Sequence, residues 1–243
     1  MPTAKLLAIP ASHASAVAAA MLDAKRVAYE RVDLLPGLSR PWVRVIGFDG
    51  VTLPALRIDG ARIQGSRAIA RALDDRWPDP PLFPADAAER RRIEEIETWG
   101  DGPLQMTAGR IILWALCRSS EGRTAALEGA RLPFPLPTRL AAAVSLPVVR
   151  LDAALDGANT AATRADLHAL PYMLDQADHW IAQGDLARTP PTAADYQVAA
   201  SVRSLLNVED LAPLFARRPV AQLARTLVPI FPGHVPAGVL PTS

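Results

Sequence analysis

Cysteine is almost missing. A single Cys117 among 243 residues excludes an intrachain disulfide framework and a cysteine-based zinc site. The four histidines, His13, His168, His179 and His234, show no metal-ligand spacing, so no metal is expected. Lysine is nearly absent as well. Lys5 and Lys25 stand alone among many arginines, a bias that fits a GC-rich genome better than a function. No sign of charge dominates: the net charge is +1 and acidic and basic residues are interleaved, which excludes an electrostatic footprint for nucleic acid or an anionic membrane. No twenty-residue apolar run occurs, and Pro10, Ser12 and His13 interrupt the apolar opening "MPTAKLLAIPASHASAVAAAML". These absences lead us to expect a soluble, cytoplasmic protein with neither nucleic acid nor membrane as partner.

Apolar residues make up half of the chain, enough for one large domain or two modest ones with real cores. Cys117 ends the apolar helical run Ile111 to Cys117 and reads as a buried packing residue. "KLLAIP" (Lys5–Pro10) has the continuous apolar character of a buried strand. "AVAAAMLDAKR" follows as a helix of good formers. "AYERVDL" then alternates, with Val32 and Leu34 on one side. A strand–helix–strand unit of this kind predicts two parallel strands joined by a right-handed crossover. An irregular connection with one short helix is expected over 35–51. Asp59-Gly60 between Ala55–Ile58 and Ala61–Ile63 predicts a type I′ hairpin. Ser66 opens a helix whose inner face carries Ile69, Ala72 and Leu73.

Beyond "DPPLFP" the pattern turns helical. Asp86 and Glu89 have capping-box spacing before a long helix through Ile93, Ile96 and Trp99. Gly100, Gly102 and Pro103 should kink or split it. Leu132–Pro137 reads as a loop. Thr138–Leu155, broken near Pro147, and Arg164–Gln183 are further helices, and Thr192 with Asp195 caps another. There is no internal repeat and no convincing strand after Pro84. The boundary falls near Leu82–Ala88, giving a β–α–β then β–β–α unit over 1–84 and an all-helical region over 85–243.

Two residues of the hairpin region carry chemistry. Pro54 lacks an N–H and cannot complete a central ladder. It is either an edge or turn proline, or a cis-proline that turns the main chain of Leu53 out to pair with an extended peptide-like ligand. Ser66 is either a plain helix N-cap or part of an anion site, where first-turn N–H groups and a hydroxyl meet a carboxylate and Gly65 lets the ligand approach the backbone.

In order along the chain, Leu53-Pro54-Ala55-Leu56, Asp59-Gly60, Ile63, Ser66, Ala68-Ile69, Leu73, Leu82 and Pro84 resemble the glutathione S-transferases. Thr192-Ala193-Ala194-Asp195 is similar to that family's late helix cap, and Arg218-Pro219 to the approach to its last helix. The resemblance implies a thioredoxin-like α/β N-terminal domain followed by an all-α helical bundle, with glutathione as co-substrate, a small electrophile as acceptor, and a homodimer. It places Ser12 at the catalytic loop position, where a hydroxyl beside a helix N-terminus stabilises thiolate. The same Ser12 also reads as a helix cap, and His13 as a solvent-facing loop residue. Glutathione contacts are implied at Ser12, Leu53, Pro54, Gln64, Gly65 and Ser66. Gly65 departs from the family's acidic or amide residue, with Gln64 one place earlier. The implied acceptor pocket takes Met106, Arg110, Leu113 and Trp114, near Trp99, on a helix whose apolar stripe reads equally as core. Three functions stand open: a transferase, a transferase using another small thiol, and a non-catalytic binding protein.

Overall fold

A computed structural model describes residues 4–35 and 39–241. Pro36, Gly37 and Leu38, in the middle of the predicted irregular connection, lie outside the described residues. Four strands form one mixed sheet in the order β2-β1-β3-β4. They are β1 (Ala4–Ala8), β2 (Tyr29–Asp33), β3 (Ala55–Ile58) and β4 (Ala61–Gln64). As the strand–helix–strand order predicts, β1 and β2 are parallel, and Leu6 pairs with Arg31. On its other side Leu6 pairs with Leu56 of the antiparallel β3. Asp59 (φ 46°) and Gly60 (φ 84°) turn β3 into β4 with both central residues at positive φ, the type I′ geometry.

Side-chain alternation sends successive residues of β1 to opposite faces. Leu6, Leu56 and Ile58 pack under α1 (His13–Ala24) and α3 (Ser66–Arg76), against Val17, Met21, Leu22, Ile69 and Leu73. Leu7 and Ala55 face the other way and join Val43 and Phe48, with Val32 and Leu34, around α2 (Ser39–Val45). The fully buried small residue on α3 is Ala70, while Ala72 is half-buried.

Among the described residues most of the chain beyond β4 is helical, and an isolated bridge joins Val208 and Val235. α4 (Ala87–Trp99) is capped by Asp86, whose carboxylate accepts from Ala88 and Glu89 N–H at 2.9 Å each. Glu89 does not close the predicted box; its carboxylate pairs with Arg188. Gly100–Leu104 then forms a π-helical turn that separates α4 from α5 (Gln105–Arg118), which is how the predicted interruption is realised. A short α6 (Ser120–Ala126) was not anticipated; Ser119 caps it by accepting from Gly122 N–H at 2.8 Å. α7 (Thr138–Leu155) runs unbroken through Pro147, against expectation. Its buried Ala141, Ala142, Ser145, Val149 and Ala153 keep one face docked on both sides of the proline, and tertiary packing outweighs one lost backbone bond. α8 (Thr160–Gln183) starts one turn earlier than predicted because Asn159 caps it, accepting from Ala162 N–H at 3.0 Å. α9 (Ala193–Leu205) and α10 (Pro219–Leu227) complete the bundle, and α9 is buried on nearly every side.

Two polar clusters join the layers. The Lys25 ammonium, fully buried, meets Asp74 Oδ1 at 3.0 Å and donates to the carbonyls of Pro80 (2.5 Å) and Trp77. Asp74 Oδ1 also accepts the N–H of Leu82 at 2.6 Å, and Leu82 C=O accepts from Ala193 N–H at 2.9 Å. The ends of α1 and α3, the linker, and the start of α9 therefore share one network. At the head of α9, Asp195 accepts from Thr192 N–H (2.7 Å), the Thr192 hydroxyl (2.8 Å) and Ala187 N–H (2.6 Å), realising the predicted capping box. Burial pushes the Asp195 carboxyl above its ordinary range, partly offset by those hydrogen bonds.

Replacing one member of a buried ion pair strands the other. Lys25→Met is expected to destabilise the fold by about 3–5 kcal/mol, read as a lowered urea midpoint at unchanged slope. Asp195→Ala is expected to cost about 2 kcal/mol, the upper range for a lost cap, in the same measurement.

Candidate functional site

The loop after β1 ends at Ser12, the N-cap of α1 (φ −86°, ψ 123°). Ser12 Oγ accepts from Ser15 N–H at 3.3 Å, and the fully buried Ser15 Oγ accepts in turn from Ile9 N–H at 3.1 Å. The cap uses only the acceptor capacity of the Ser12 hydroxyl. Its proton remains free to be donated outward, so capping and catalysis are compatible at this position. His13 is not a solvent-facing loop residue. It is the first residue of α1 and half-buried, and its ring is turned toward α5, where a methyl group added to Gly109 would lie 3.7 Å from Cε1. Burial lowers its pKa to about 4, so the imidazole is neutral at pH 7.

The Leu53–Pro54 peptide bond is cis, as are Asp79–Pro80 and Thr189–Pro190. Among the described residues, neither main-chain polar group of Leu53 has a hydrogen-bond partner. Pro54 C=O accepts from Gly65 N–H at 2.9 Å, which closes the hairpin. The Gln64 amide is fully engaged elsewhere. Its Oε1 accepts from Gly50 N–H at 2.9 Å and its Nε2 donates to Thr52 C=O at 2.9 Å, so Gln64 clamps the loop that carries Leu53. A Cβ on Gly50 would stand 2.7 Å from Oε1, so a larger residue there would displace the Gln64 amide.

Gly65 takes φ 87° and ψ 145° as the N-cap of α3, a conformation that favours glycine. Ser66 is therefore the first helical residue and not the cap. No described residue accepts from the N–H groups of Ser66, Arg67 or Ala68, so the helix presents open donors at its positive end. The buried Ser66 hydroxyl donates to Asp101 Oδ1 at 3.3 Å.

Asp101 is the residue that sequence reasoning missed. The π turn carries it: Gln105 N–H bonds back to Gly100 and Gly102 carbonyls, accommodating Pro103, which has no N–H. Gly100 lets α9 approach, because a Cβ there would meet the Gln197 stem at 3.0 Å. The buried Gln197 donates to Asp101 Oδ1 (3.1 Å) and Gln105 Oε1 (3.0 Å), fixing the carboxylate over the start of α3. The available signal was an acid between two glycines and ahead of a proline, "GDGP", which was read only as a kink. The α3 arginines point elsewhere: Arg71 grips the buried Glu97 at 2.9 and 2.7 Å, and Arg67 meets Glu97 and Thr98.

A groove of about 1030 Å³ opens on the other side of Ser12. Alanines of α1, Tyr29, Arg31, Tyr196 and the strap 226–232 wall it. The strap runs from the end of α10 into the aperiodic C-terminal tail, which Asn207 and the Asp210 carboxylate pin through main-chain groups of residues 231–240. Burial, reinforced by nearby carboxylates, pushes the phenols of Tyr29 and Tyr196 up to about 12, so both stay protonated. The expected acceptor residues lie along α5 instead. Met106 is 58% exposed and Leu113 half-buried. Arg110 is held bidentate by Asp166 at 2.7 and 2.5 Å. Trp114 is buried, and Trp99 packs edge-on against Trp180 at 4.8 Å. The His13 ring, against Gly109, brings the start of α1 to this wall. Cys117 is half-buried, with Sγ 3.8 Å from Val149 C=O.

Residues 6–81 match the family described as glutathione S-transferase, N-terminal domain. The N-terminal domain belongs to the glutathione S-transferase family. No curated protein matches the chain. Among solved structures it is similar to FzlA from C. crescentus, at 18% identity over 99% of this chain and 96% of that one, with a TM-score of 0.62. A glutathione S-transferase from Rhodospirillum rubrum F11 gives 19% identity, 98% coverage of both chains and a TM-score of 0.60. Glutathione transferase F2 from Populus trichocarpa gives 18%, 92% and 91% coverage, and 0.59. At these identities the likeness is one of fold. The fold is the family's: a mixed four-stranded sheet followed by helices. Among the described residues no helix is long and apolar enough to cross a membrane, and no cluster of His, Cys, Asp and Glu could hold a metal.

The His13 environment predicts a pH dependence. Its folded pKa lies below the unfolded value of about 6.5, so the stability of the neutral form is complete above that pH and is lost as pH falls toward 4. The stability advantage of the natural chain over His13→Asn should shrink between pH 7 and pH 4 in denaturant titrations. A constant difference would show that the imidazole titrates as if exposed.

Proposed function

We propose that the protein binds glutathione and activates its thiol for attack on a small electrophile, with residues 1–84 as the thiol-binding domain and 85–243 as the helical partner domain. The observation that carries this reading is the pairing at the start of α3. Open N–H donors and the Ser66 hydroxyl suit a carboxylate, and Asp101 beside them suits an ammonium group. Together they fit the zwitterionic amino-acid head of a γ-glutamyl peptide, while the free main chain of Leu53 fits its extended body. Gly65 leaves open space for that head.

Ser12 then donates its hydroxyl proton toward the sulfur at the positive end of α1. An unperturbed thiol titrates near 8.5, and such a donor beside a helix N-terminus lowers that value by about one unit or more, each unit being worth about 1.4 kcal/mol. The thiolate forms the new carbon–sulfur bond as the electrophile's leaving group departs with its electron pair. The acceptor enters between α1 and the α5 wall of Met106, Arg110, Leu113 and Trp114. Arg110 shares its charge with Asp166, so it is a weak attractor of anionic acceptors. This reading includes a cytoplasmic homodimer acting in detoxification. A second reading, a non-catalytic thiol-binding or interaction protein, is favoured by one observation. The Gln64 amide is spent on the loop and does not replace the acidic or amide residue missing at Gly65.

Thermal shift with glutathione separates these readings. Ligand at 100 times its Kd should stabilise the chain by about 2.7 kcal/mol, and Asp101→Asn should weaken binding about tenfold, the loss of one charge-assisted contact. Ser12→Ala should keep the shift and slow conjugation of an aryl halide by 10-fold or more, one unit of thiol pKa. No shift at millimolar glutathione would overturn the proposal. A shift without turnover would select the second reading.

A further inference from the structure

The face of the sheet that carries α2 holds two cavities that the thiol site does not use. The first, of about 330 Å³, is walled by Leu34, Leu35, Trp42, Val45, Leu132 and Phe134, and almost no polar atom opens into it. The second, of about 530 Å³, shares Trp42, Leu132 and Pro133 with the first, so the two are chambers of one groove. Both volumes fall in the range of roughly 300–1,000 Å³ typical of small-molecule sites. Folding leaves the walls of the first chamber partly in water: Trp42, Val45 and Phe134 are 50%, 80% and 47% exposed.

Strand register accounts for the chemistry of the second chamber. Leu7 of β1 faces α2, and alternation puts Lys5 on the same face. Lys5 lies opposite Glu30 of β2 and Arg57 of β3. An apolar row of Val32, Leu7 and Ala55 therefore gives way, about 7 Å along the strands, to a charged row of Glu30, Lys5 and Arg57. Arg131 enters the same chamber from the loop beside β2, where Asp33 holds its main chain on both sides: Arg131 N–H donates to Asp33 Oδ2 at 2.8 Å and its C=O accepts from Asp33 N–H at 2.9 Å. The Glu30 carboxylate is met by Lys5 at 3.2 Å, and the Arg31 guanidinium by Asp33 at 2.9 Å. Among the described residues no carboxylate pairs with the side chain of Arg57 or Arg131. The groove thus follows β2 from Leu35 down to Glu30, about 17 Å at strand rise, dry at one end and cationic at the other.

We infer that this groove binds a free long-chain carboxylate, its hydrocarbon tail in the chamber of Trp42 and Phe134 and its head toward Arg57 and Arg131. The guanidinium fork matches a carboxylate, and charge-assisted bonds of this kind are the strong ones. The length agrees: a straight chain of about twelve carbons spans about 14 Å, since each staggered bond of about 1.5 Å advances it by about 1.3 Å. A peptide fits less well, because its N–H groups would be stranded in a chamber lined by apolar side chains. A chamber of about 330 Å³ has room for one chain, which sets a free acid apart from a two-chain membrane lipid. Neither Ser12 nor Ser66 lines the groove. The inference therefore stands apart from the glutathione reading.

The test uses the full chain and dodecanoate below its micellar concentration, read by titration calorimetry. One molecule should bind per chain, and affinity should fall roughly fourfold for each methylene removed on the way to octanoate. Val45→Asp, at a side chain already 80% exposed, should weaken dodecanoate by about tenfold or more at an unchanged melting temperature, the cost of a charge set in the dry chamber. Arg57→Gln with Arg131→Gln should weaken dodecanoate by about tenfold or more and leave dodecanol within about twofold, since the alcohol carries no charge. Millimolar glutathione should not displace the ligand. No saturable binding would overturn the inference, as would binding that Val45→Asp leaves intact or that glutathione abolishes. Arginine variants that weaken acid and alcohol alike would overturn the assigned head. Uptake onto phosphatidylglycerol vesicles without binding of free dodecanoate would mark a membrane-facing surface and overturn it equally.

Discussion

The buried ammonium of Lys25 is the constraint on which the site depends. It sits at the C-terminal end of α1 and reaches Asp74 near the C-terminal end of α3, together with the carbonyls of Trp77 and Pro80 in the linker. A charge with no access to water must be met by acceptors on every side. The observed placement of α1, α3 and the linker supplies them. Leu82, held by the same carboxylate, then receives the first N–H of α9, so the cluster sets the helical bundle against the sheet.

Clamping two helices at one end aligns them at the other. β1 and β4 both run antiparallel to β3. They therefore run in the same direction, and so do the helices that follow them. The N-termini of α1 and α3 emerge at the same edge of the sheet, and two positive helix ends converge on one region. Ser12 and Ser66 stand at those ends, with the free main chain of Leu53 on the neighbouring strand entry. The helical bundle supplies the opposing sign. The π turn and Gln197 bring Asp101 to the start of α3 from sequence positions far from the sheet. The resulting polarity, donors from one domain and an acid from the other, is what a zwitterionic ligand head would require.

The elements were legible where local rules act alone. Alternation in "AYERVDL", the Asp59-Gly60 turn and the Thr192–Asp195 cap each depend on neighbours within a few residues, and each was found as read. Errors arose where packing decides. Pro147 breaks no helix, because α7 is docked on both sides of it. Ser66 looked like a cap until Gly65, at positive φ, took that place. His13 looked exposed because nothing local reveals that α5 lies across from it. The loop clamp made by Gln64 was invisible because its two partners, Gly50 and Thr52, become its neighbours only when the loop folds back.

By itself the sequence determined the order of the strands and of most helices, the hairpin, the caps at Asp86 and Thr192 and the position of the hydroxyls. Periodicity, turn chemistry and capping are short-range and are written in adjacent residues. Tertiary structure alone decided which hydroxyl meets which carboxylate, that Lys25 is buried at a junction and not on the surface, and that the acid over α3 is Asp101. Those pairings join residues 35 to 96 positions apart, and no local rule encodes a contact whose existence depends on how whole layers pack.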